Sequence, residues 1–250
     1  MVRLVVLGSS CLIATETRRP SHLLCLGEEH GLLIDCGVSP RGRLEDLGLN
    51  PNRITDIFIS HFHPDHASGL VYFLMEMSLR GRTAPLCVHS GAASLRRIRT
   101  AMQMYGWKKM PHRFGVDFHT VKRGKGAPVL ENAEFRAVST PVRHVVPTLG
   151  IRVEDIRSGR CFVYSADTEP CAELTALARG AGLLIHEATG AGTGHSSAAQ
   201  AAAVARDAGA GRLLLIHTDP YADPDALLAE AGAVFSGEVI LAADKMEVEW

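Results

Sequence analysis

The sequence predicts an α/β fold, arranged as one layered domain over residues 1–250. Short apolar runs typical of strands recur along the chain, and in its second half they alternate with segments of helical character. No linker, low-complexity tract or shift in composition interrupts this pattern. Mixed strands and alternating helices without a long break favour a single layered domain over two separate ones.

The first half contains five predicted strands and two predicted helices. The strands are expected at residues 4–7, 23–26, 32–34, 57–60 and 86–89, and the helices at residues 67–79 and 92–105. Residues 27–31 (GEEHG) separate the second and third strands and predict a hairpin between them. Met75 and Met77 are interpreted as side chains that fill the core beneath the first helix.

The second half predicts strands that increasingly alternate with helices. Strands are expected at residues 135–138, 149–153, 161–164, 183–185, 213–216 and 239–242, and helices at residues 197–208 and 225–231. Ser196 or Ser197 can cap the N-terminus of the alanine-rich helix, because a serine hydroxyl can accept a hydrogen bond from a free N–H there. This alternation is typical of βαβ units.

Bulk composition excludes several classes of protein. The formal net charge is −1, with 46% apolar and 21% charged residues, so no global charge favours nucleic acid or anionic membrane. The six cysteines are scattered without a C-x-x-C pair, and no signal peptide is recognised, which predicts reduced thiols and a cytoplasmic location. No apolar run approaches the roughly 18 residues needed to cross a bilayer, so no membrane partner is expected.

Residues 96–125 form a locally basic segment. Arginines and lysines predominate there, Asp117 is the one acidic residue, and Tyr105 and Trp107 are interleaved with the cations. Such a segment either guides a phosphate-bearing substrate or forms a solvated helix face and loop, and the sequence favours neither interpretation.

The strongest chemical signal is the run HFHPDH at residues 61–66. Three histidines and one aspartate within six positions follow a buried apolar strand. Such side chains are costly to bury unless something pairs with or coordinates them. Imidazole nitrogens with a carboxylate oxygen suit zinc and similar metals, and the run offers enough ligands for two ions.

Further polar residues follow apolar strands in the second half. These are His144, Asp167, the pair His186 and Glu187, and His217, and their recurrence predicts one convergent site. His195 precedes the alanine-rich helix and is not needed to cap it, so it is available for chemistry. Asp35, also at a strand end, is expected to orient a metal-binding histidine.

These motifs resemble those of the metallo-β-lactamase superfamily, and within it the ribonuclease Z-like phosphodiesterase branch. The residues that carry the resemblance are spread over the chain: Asp35, HFHPDH at 61–66, His144 with PTLG at 147–150, SADT at 165–168, EAT at 187–189, GHSS at 194–197, and His217. The resemblance implies an αββα sandwich with metals at one edge, and commonly a homodimer.

The resemblance also implies roles for individual residues. One zinc ion would be held by His61, His63 and His144, a second by Asp65, His66 and His217, and Asp167 would bridge the two; Mn or Fe are alternatives to zinc. Two such ions lower the pKa of a shared water that attacks the phosphoryl group. Asp65 would also accept a hydrogen bond from that water, and His195, oriented by Glu187, would donate a proton to the leaving oxygen.

One departure from the branch limits the expected substrate. Ribonuclease Z proper carries a long glycine- and proline-rich arm between the third metal histidine and the bridging aspartate, whereas His144 and Asp167 lie close together in this chain. The missing arm favours a small or short phosphodiester: a cyclic nucleotide, a cyclic phosphate or an RNA end. The alternatives are a ribonuclease Z-type tRNA 3′ endonuclease, and a thioester or lactone hydrolase of the same superfamily.

Overall fold

A computed structural model describes residues 2–250, and Met1 lies outside the described residues. The elements of the first half are β1 (Arg3–Gly8), β2 (His22–Leu26), β3 (Gly31–Ile34), α1 (Arg41–Asp46), β4 (Asp56–Ile59), α2 (Pro64–Ala67), α3 (Gly69–Leu79), β5 (Leu86–Gly91), α4 (Ala92–Met104) and β6 (Val116–Val121). Those of the second half are β7 (Ala127–Glu131), β8 (Phe135–Val142), β9 (Thr148–Asp155), β10 (Cys161–Tyr164), α5 (Ala172–Ala178), β11 (Leu183–Glu187), α6 (Ala198–Ala208), β12 (Arg212–Ile216), α7 (Pro224–Gly232), β13 (Glu238–Leu241) and β14 (Glu247–Val248).

The strands form two seven-stranded mixed sheets. The first has the order β14-β1-β2-β3-β4-β5-β6, in which β3 to β6 are parallel. The second has the order β13-β12-β11-β10-β9-β8-β7, in which β10 to β13 are parallel. The predicted hairpin at residues 27–31 is confirmed, since β2 and β3 pair antiparallel.

Three apolar clusters separate four layers. Phe58, Phe162 and Ile185 belong to the cluster between the sheets. Phe73 and other residues of the α1–α4 side cover the first sheet, and Ala202 with other residues of α5–α7 covers the second. Burying one stripe of each helix on the outer face of a sheet gives the αββα sandwich, which confirms the predicted fold class.

The predicted elements differ from the structure mainly at their boundaries. The helix expected at 67–79 begins earlier, at Pro64, and is interrupted at Ser68, which separates α2 from α3. Ser197 is the N-cap of α6, and with Gln200 it completes a capping box. We propose that residues 1–250 form one domain, because β14 at the end of the chain pairs with β1 at its beginning.

Between residues 2 and 250, no helix combines the length and the apolar character needed to cross a membrane. All six cysteines are free thiols.

Candidate metal centre

Carboxyl ends of strands from both sheets bring the predicted site residues to one edge of the sandwich. His61 follows β4 of the first sheet, Asp167 follows β10 of the second, and His217 follows β12. Backbone hydrogen bonds tie the sheets together here: the N–H of His217 donates to Ser9 O at 3.0 Å, and that of Leu149 to Ser60 O at 3.2 Å. The edge is therefore fixed by both halves of the chain.

The first ligand group comprises His61, His63, His144 and Asp167, whose ligand atoms all lie within 4.8 Å of one another. His63 Nδ1 is 3.2 Å from His144 Nε2. Asp167 Oδ2 lies 3.7 Å from His61 Nε2 and 3.8 Å from His144 Nε2. Three nitrogens and one oxygen converging in this way form a donor set that zinc and similar ions accept.

The second ligand group comprises Asp65, His66, Asp167 and His217, again within 4.8 Å of one another. His217 Nε2 is 3.1 Å from Asp65 Oδ2, and His66 Nε2 is 3.3 Å from Asp167 Oδ1. Asp167 belongs to both groups and presents one oxygen to each. The structure thus brings together all seven residues predicted as metal ligands.

Some of the donor atoms have no hydrogen-bond partner among the described residues and are available to bind metal ions. His61 Nε2 and Asp167 Oδ1 are buried, and neither has a hydrogen-bond partner within residues 2–250. Burial lowers the pKa of His61, His63 and His144, so these imidazoles are neutral and can offer a lone pair. Burial opposes the ionisation of Asp167, but His217 and His66 hold its pKa well below the usual range. The residues present therefore fit a pair of divalent ions.

Asp35 orients His66, a member of the second ligand group, through a hydrogen bond on the side of the ring away from that group. Its Oδ2 is 2.7 Å from His66 Nδ1, while Oδ1 accepts from the N–H of Ser60 at 2.7 Å and Oδ2 also accepts from Ser60 Oγ at 2.9 Å. Tyr164 donates its hydroxyl to the same carboxylate at 3.3 Å. Because His66 Nδ1 is engaged by Asp35, His66 Nε2 faces the ligand group.

We expect Asp35→Asn to weaken metal binding by about 10–100-fold, the usual cost of losing a partner that orients a ligand. An amide keeps the shape of the side chain but cannot hold His66 with a carboxylate charge. Metal affinity is measured by competition with a chelator, and circular dichroism checks that the variant is folded. Asp155→Asn changes a buried carboxylate at the other end of β9 and should leave metal affinity unaltered.

The sequence analysis missed three partners that orient ligands. Thr189 Oγ1 lies 2.8 Å from His217 Nδ1, Ser60 Oγ lies 3.0 Å from His61 Nδ1, and the carbonyl oxygen of Gly194 lies 2.6 Å from His144 Nδ1. Ser60 directly precedes the HFHPDH run, which was the available signal for its role. Gly194 acts through its backbone carbonyl group, so the side-chain chemistry of residue 194 did not indicate this role.

His195 lies beside the two groups. Its Nδ1 is 3.1 Å from Glu187 Oε1, and its ring stacks on that of His217 at 6.0 Å between centroids. The hydrogen bond that the His195 ring donates to the Glu187 carboxylate raises the pKa of His195, so the ring keeps its proton to higher pH than a free imidazole. The buried Glu187 carboxylate also accepts backbone N–H groups of Thr168, Thr189 and Ser196 and is thereby fixed in place.

His186 does not join this site, although the recurrence of polar residues at strand ends had included it. It is fully buried, and its Nδ1 lies 2.7 Å from the carbonyl oxygen of Glu187. Adjacent residues of a strand point to opposite faces, so Glu187 can reach the metal edge only if His186 points away from it.

Three residues of the site have left-handed backbone conformations. The φ angles are +61° at Asp35, +53° at Ala166 and +56° at His217. Non-glycine residues seldom adopt this conformation, and each such residue costs on the order of 1 kcal/mol or more. These turns direct the chain at the ends of β3, β10 and β12 so that the side chains converge.

Gly37 allows the strand end after β3 to contact α2 directly. A Cβ atom built on Gly37 would lie 1.7 Å from the carbonyl oxygen of Asp65, so a side chain there collides with backbone. The N–H of Cys36 donates to His66 O at 2.7 Å beside this contact. The position of Asp65 and His66 therefore depends on a glycine at residue 37.

We expect Gly37→Ala to lower the free energy of unfolding by about 1–3 kcal/mol and to weaken metal binding, because α2 must move away. Urea denaturation of the metal-loaded protein measures the first effect and metal titration the second. Gly42→Ala is the matched control: Gly42 lies in α1, and a Cβ there meets nothing within 4 Å. If both variants unfold at the same urea concentration, the predicted collision is absent.

An αββα sandwich with two ligand groups at the edge, sharing one aspartate, defines the class of metal-dependent hydrolases. The family described as "Beta-lactamase superfamily domain" matches residues 30–218. The chain belongs to this superfamily, and within it to the ribonuclease Z-like branch, as the following relatives indicate.

Curated relatives match over nearly the whole chain. Ribonuclease Z of Methanothermobacter thermautotrophicus is 29% identical over 304 positions, covering 100% of this chain and 97% of the relative. Ribonuclease Z of Azobacteroides pseudotrichonymphae is 30% identical over 282 positions, covering 96% of each. Since this chain has 250 residues, both alignments include segments of the relatives that have no counterpart here.

Solved structures share the fold. A metallo-β-lactamase fold protein of Bacillus subtilis has a TM-score of 0.84 at 24% identity, covering 100% of this chain and 99% of that one. The short form of human tRNase Z has a TM-score of 0.81 at 25% identity, with the same coverage. The family match and the curated ribonuclease Z relatives together establish the chain as a metal-dependent hydrolase that acts on phosphodiester bonds.

Proposed function

We propose that the protein is a dinuclear zinc phosphodiesterase whose substrate is a small or short phosphodiester. An RNA end is the member of this class that agrees with relatives named ribonuclease Z. The observation that carries the proposal is the pair of ligand groups sharing Asp167, with His195 beside them. Manganese or iron in place of zinc would satisfy the same nitrogen and oxygen ligands.

The proposed ligand assignment follows the two groups. His61, His63 and His144 would hold one ion and Asp65, His66 and His217 the other, with Asp167 between them. When bound, two divalent ions supply the charge that makes a water nucleophilic at neutral pH and that stabilises the attacked phosphoryl group. The chain itself provides positioning and proton transfer.

Asp65 and His195 would serve as the two proton-transfer groups. The Asp65 carboxylate is ionised, and it can accept a hydrogen bond from the attacking water through an oxygen not engaged by His217. His195 carries a proton that it can give to the leaving oxygen, and Glu187 positions its ring. Glu187 is a positioning residue, because its carboxylate is fully buried behind His195.

The basic segment at 96–125 reaches the site at one point. The guanidinium of Arg97 on α4 lies 5.9 Å from the ring centre of Phe62, the residue between His61 and His63. An exposed cation next to the ligand loop supports a substrate that carries phosphate, since opposite charge raises the local concentration of such a substrate.

The size of the proposed substrate rests on a short connection. Between His144 and Asp167 the chain forms only β9, a turn at residues 156–160 and β10. An arm long enough to grip a folded RNA has no place in this interval. This supports a short or small phosphodiester over a complete tRNA precursor.

The first test is hydrolysis of bis(p-nitrophenyl) phosphate by the protein loaded with Zn²⁺ or Mn²⁺. We expect turnover that is lost on chelation and restored by metal. Cyclic nucleotides, short RNAs with 3′ extensions and a tRNA precursor are then compared at equal concentration. Preference for the tRNA precursor would support the endonuclease alternative, and hydrolysis of thioesters or lactones without diester hydrolysis would refute the proposal.

A cytoplasmic location and a homodimer form part of the proposal. The six free cysteines are the state expected in a reducing compartment. Dimerisation follows from the resemblance to the ribonuclease Z-like branch, and light scattering on the metal-loaded protein measures it.

A further inference from the structure

A second group of metal-ligating side chains lies on the parallel strands β4, β5 and β6. We name it the β4–β6 cluster: Asp56, Cys87, His89 and His119. Asp56 is the first residue of β4, whereas the HFHPDH run follows the end of that strand. In the strand register Cys87 is level with Asp56, and His89 and His119 are level with Phe58. At about 3.3 Å per residue, the cluster therefore lies roughly 10–16 Å along β4 from His61.

Strand register places these side chains on one face of the sheet. Cys87 pairs with Asp56 on one side, and His89 pairs with His119 on the other. Because Cys87 and His89 are two positions apart on β5, they point the same way. Asp56, Cys87 and His89 each present a ligand atom, and these atoms lie within 4.8 Å of one another. The ring of His119 stacks on that of His89 with 5.0 Å between centroids.

The protein groups present do not satisfy His89. Its side chain is buried, with Nε2 2.7 Å from Asp56 Oδ1, while Nδ1 has no hydrogen-bond partner among the described residues. If His89 is neutral, one ring nitrogen lacks a donor, and if it is protonated, Nδ1–H lacks an acceptor. A buried polar atom without a partner is costly in either case, so the hydrogen bond to Asp56 does not complete this cluster.

We propose that the β4–β6 cluster is a separate binding site for a divalent transition-metal ion of the zinc type. Asp56, Cys87 and His89 supply oxygen, sulfur and nitrogen ligands, and the exposed His119 supplies the fourth. Ligand atoms around zinc lie about 3.5 Å apart, given metal–ligand distances of 2.0–2.3 Å, so small side-chain rotations bring the atoms of Asp56, Cys87 and His89 to this spacing. The ring of His119 would have to rotate out of its stacking on His89 to bind the same ion. The ion would hold β4, β5 and β6 together at a point before the strand ends that carry the dinuclear centre.

Binding of the ion displaces the thiol proton of Cys87 to solvent, because a thiolate is the ligand form. Burial together with Asp56 and Asp117 raises the pKa of this thiol, so the free site holds a neutral –SH. The apparent affinity of the site therefore increases with pH. The half-exposed position of Cys87 and the exposed position of His119 give the ion access from solvent.

A thiolate ligand gives this site a signature that the dinuclear centre cannot produce, because neither group of that centre contains a cysteine. The full-length apo protein is titrated with Co²⁺ while the near-ultraviolet thiolate-to-cobalt charge-transfer band is recorded. We expect this band in the wild type and its loss in Cys87→Ser and His89→Ala. After dialysis against Zn²⁺, the wild type should retain one ion per chain more than either variant.

Two further variants control the experiment. Cys161→Ala removes a cysteine outside all ligand groups and should keep the band. His119→Ala changes an exposed residue, is expected to fold normally, and should weaken Co²⁺ binding at this site by at least tenfold. Phosphodiester hydrolysis by Cys87→Ser should equal that of the wild type. The absence of the band from the wild type, its persistence in Cys87→Ser, or its loss in Cys161→Ala would overturn the proposal.

Discussion

Replacing Asp167 with alanine should abolish function more completely than any other single change at the site. Asp167 is the residue that the two ligand groups share, and it presents a separate oxygen to each. We expect both metals to be lost from Asp167→Ala. Turnover should fall by at least about 10³-fold, since bound metal ions contribute several kcal/mol and each tenfold of rate corresponds to about 1.4 kcal/mol.

Metal analysis after dialysis and hydrolysis of bis(p-nitrophenyl) phosphate measure the two effects of Asp167→Ala. The matched control is Asp155→Ala, which removes a buried carboxylate from the opposite end of the sandwich and should retain metal and activity. A folded Asp167→Ala protein that still holds two ions would show that the aspartate does not bridge them.

Replacing His195 with alanine should separate catalysis from metal binding. His195 contacts Glu187 and stacks on His217, but it belongs to neither of the two ligand groups that share Asp167. We expect His195→Ala to retain its metal while turnover of an RNA diester falls by about 10²–10⁴-fold, the usual contribution of a positioned general acid. With p-nitrophenolate as the leaving group the loss should be much smaller, because this group leaves without a proton.

Two substrates are therefore compared for His195→Ala: a short RNA, whose leaving group is an alkoxide, and bis(p-nitrophenyl) phosphate. His112→Ala, in an exposed loop, serves as the histidine control and should behave as the wild type on both. Equal losses on the two substrates would assign His195 to something other than protonation of the leaving group. Loss of metal from the folded variant would place His195 among the ligands.

The sequence predicted the buried strands and the edge strand β13 well, and it missed the other three edge strands, β6, β7 and β14. Runs such as residues 161–164 and 213–216 are apolar throughout because both faces of those strands are covered. β6 was missed because it is an edge strand whose exposed residues include Asp117 and His119, within the basic segment 96–125, for which no strand was predicted. The two-residue β14 has no pattern long enough to detect; only its pairing with β1 defines it.

The ligands were predictable because their chemistry is visible in single residues, whereas their supports depend on three-dimensional proximity. The HFHPDH run places three histidines and one aspartate within six positions, which is enough to predict a metal site. The polar residues that follow later strands supply the remaining ligands. The carbonyl of Gly194 that fixes His144 is a backbone group that every residue possesses. The close approach of Gly37 to Asp65 requires a residue without a Cβ atom, and nothing in the sequence distinguishes this glycine from the other glycines of the chain. The identity of the ligands at this site can thus be predicted from sequence, but the contacts that position them cannot.

Each ligand group draws side chains from both sheets: residues 61–66 come from the first, and residues 144, 167 and 217 from the second. A bound ion therefore acts as a reversible cross-link between the two sheets at this edge of the sandwich. A ligand that binds only the native state lowers the population of locally opened molecules. The concentration of available metal therefore determines how often this edge of the sandwich is accessible to proteases. The abundance of the protein in a cell should consequently depend on the concentration of available metal as well as on the rate of synthesis.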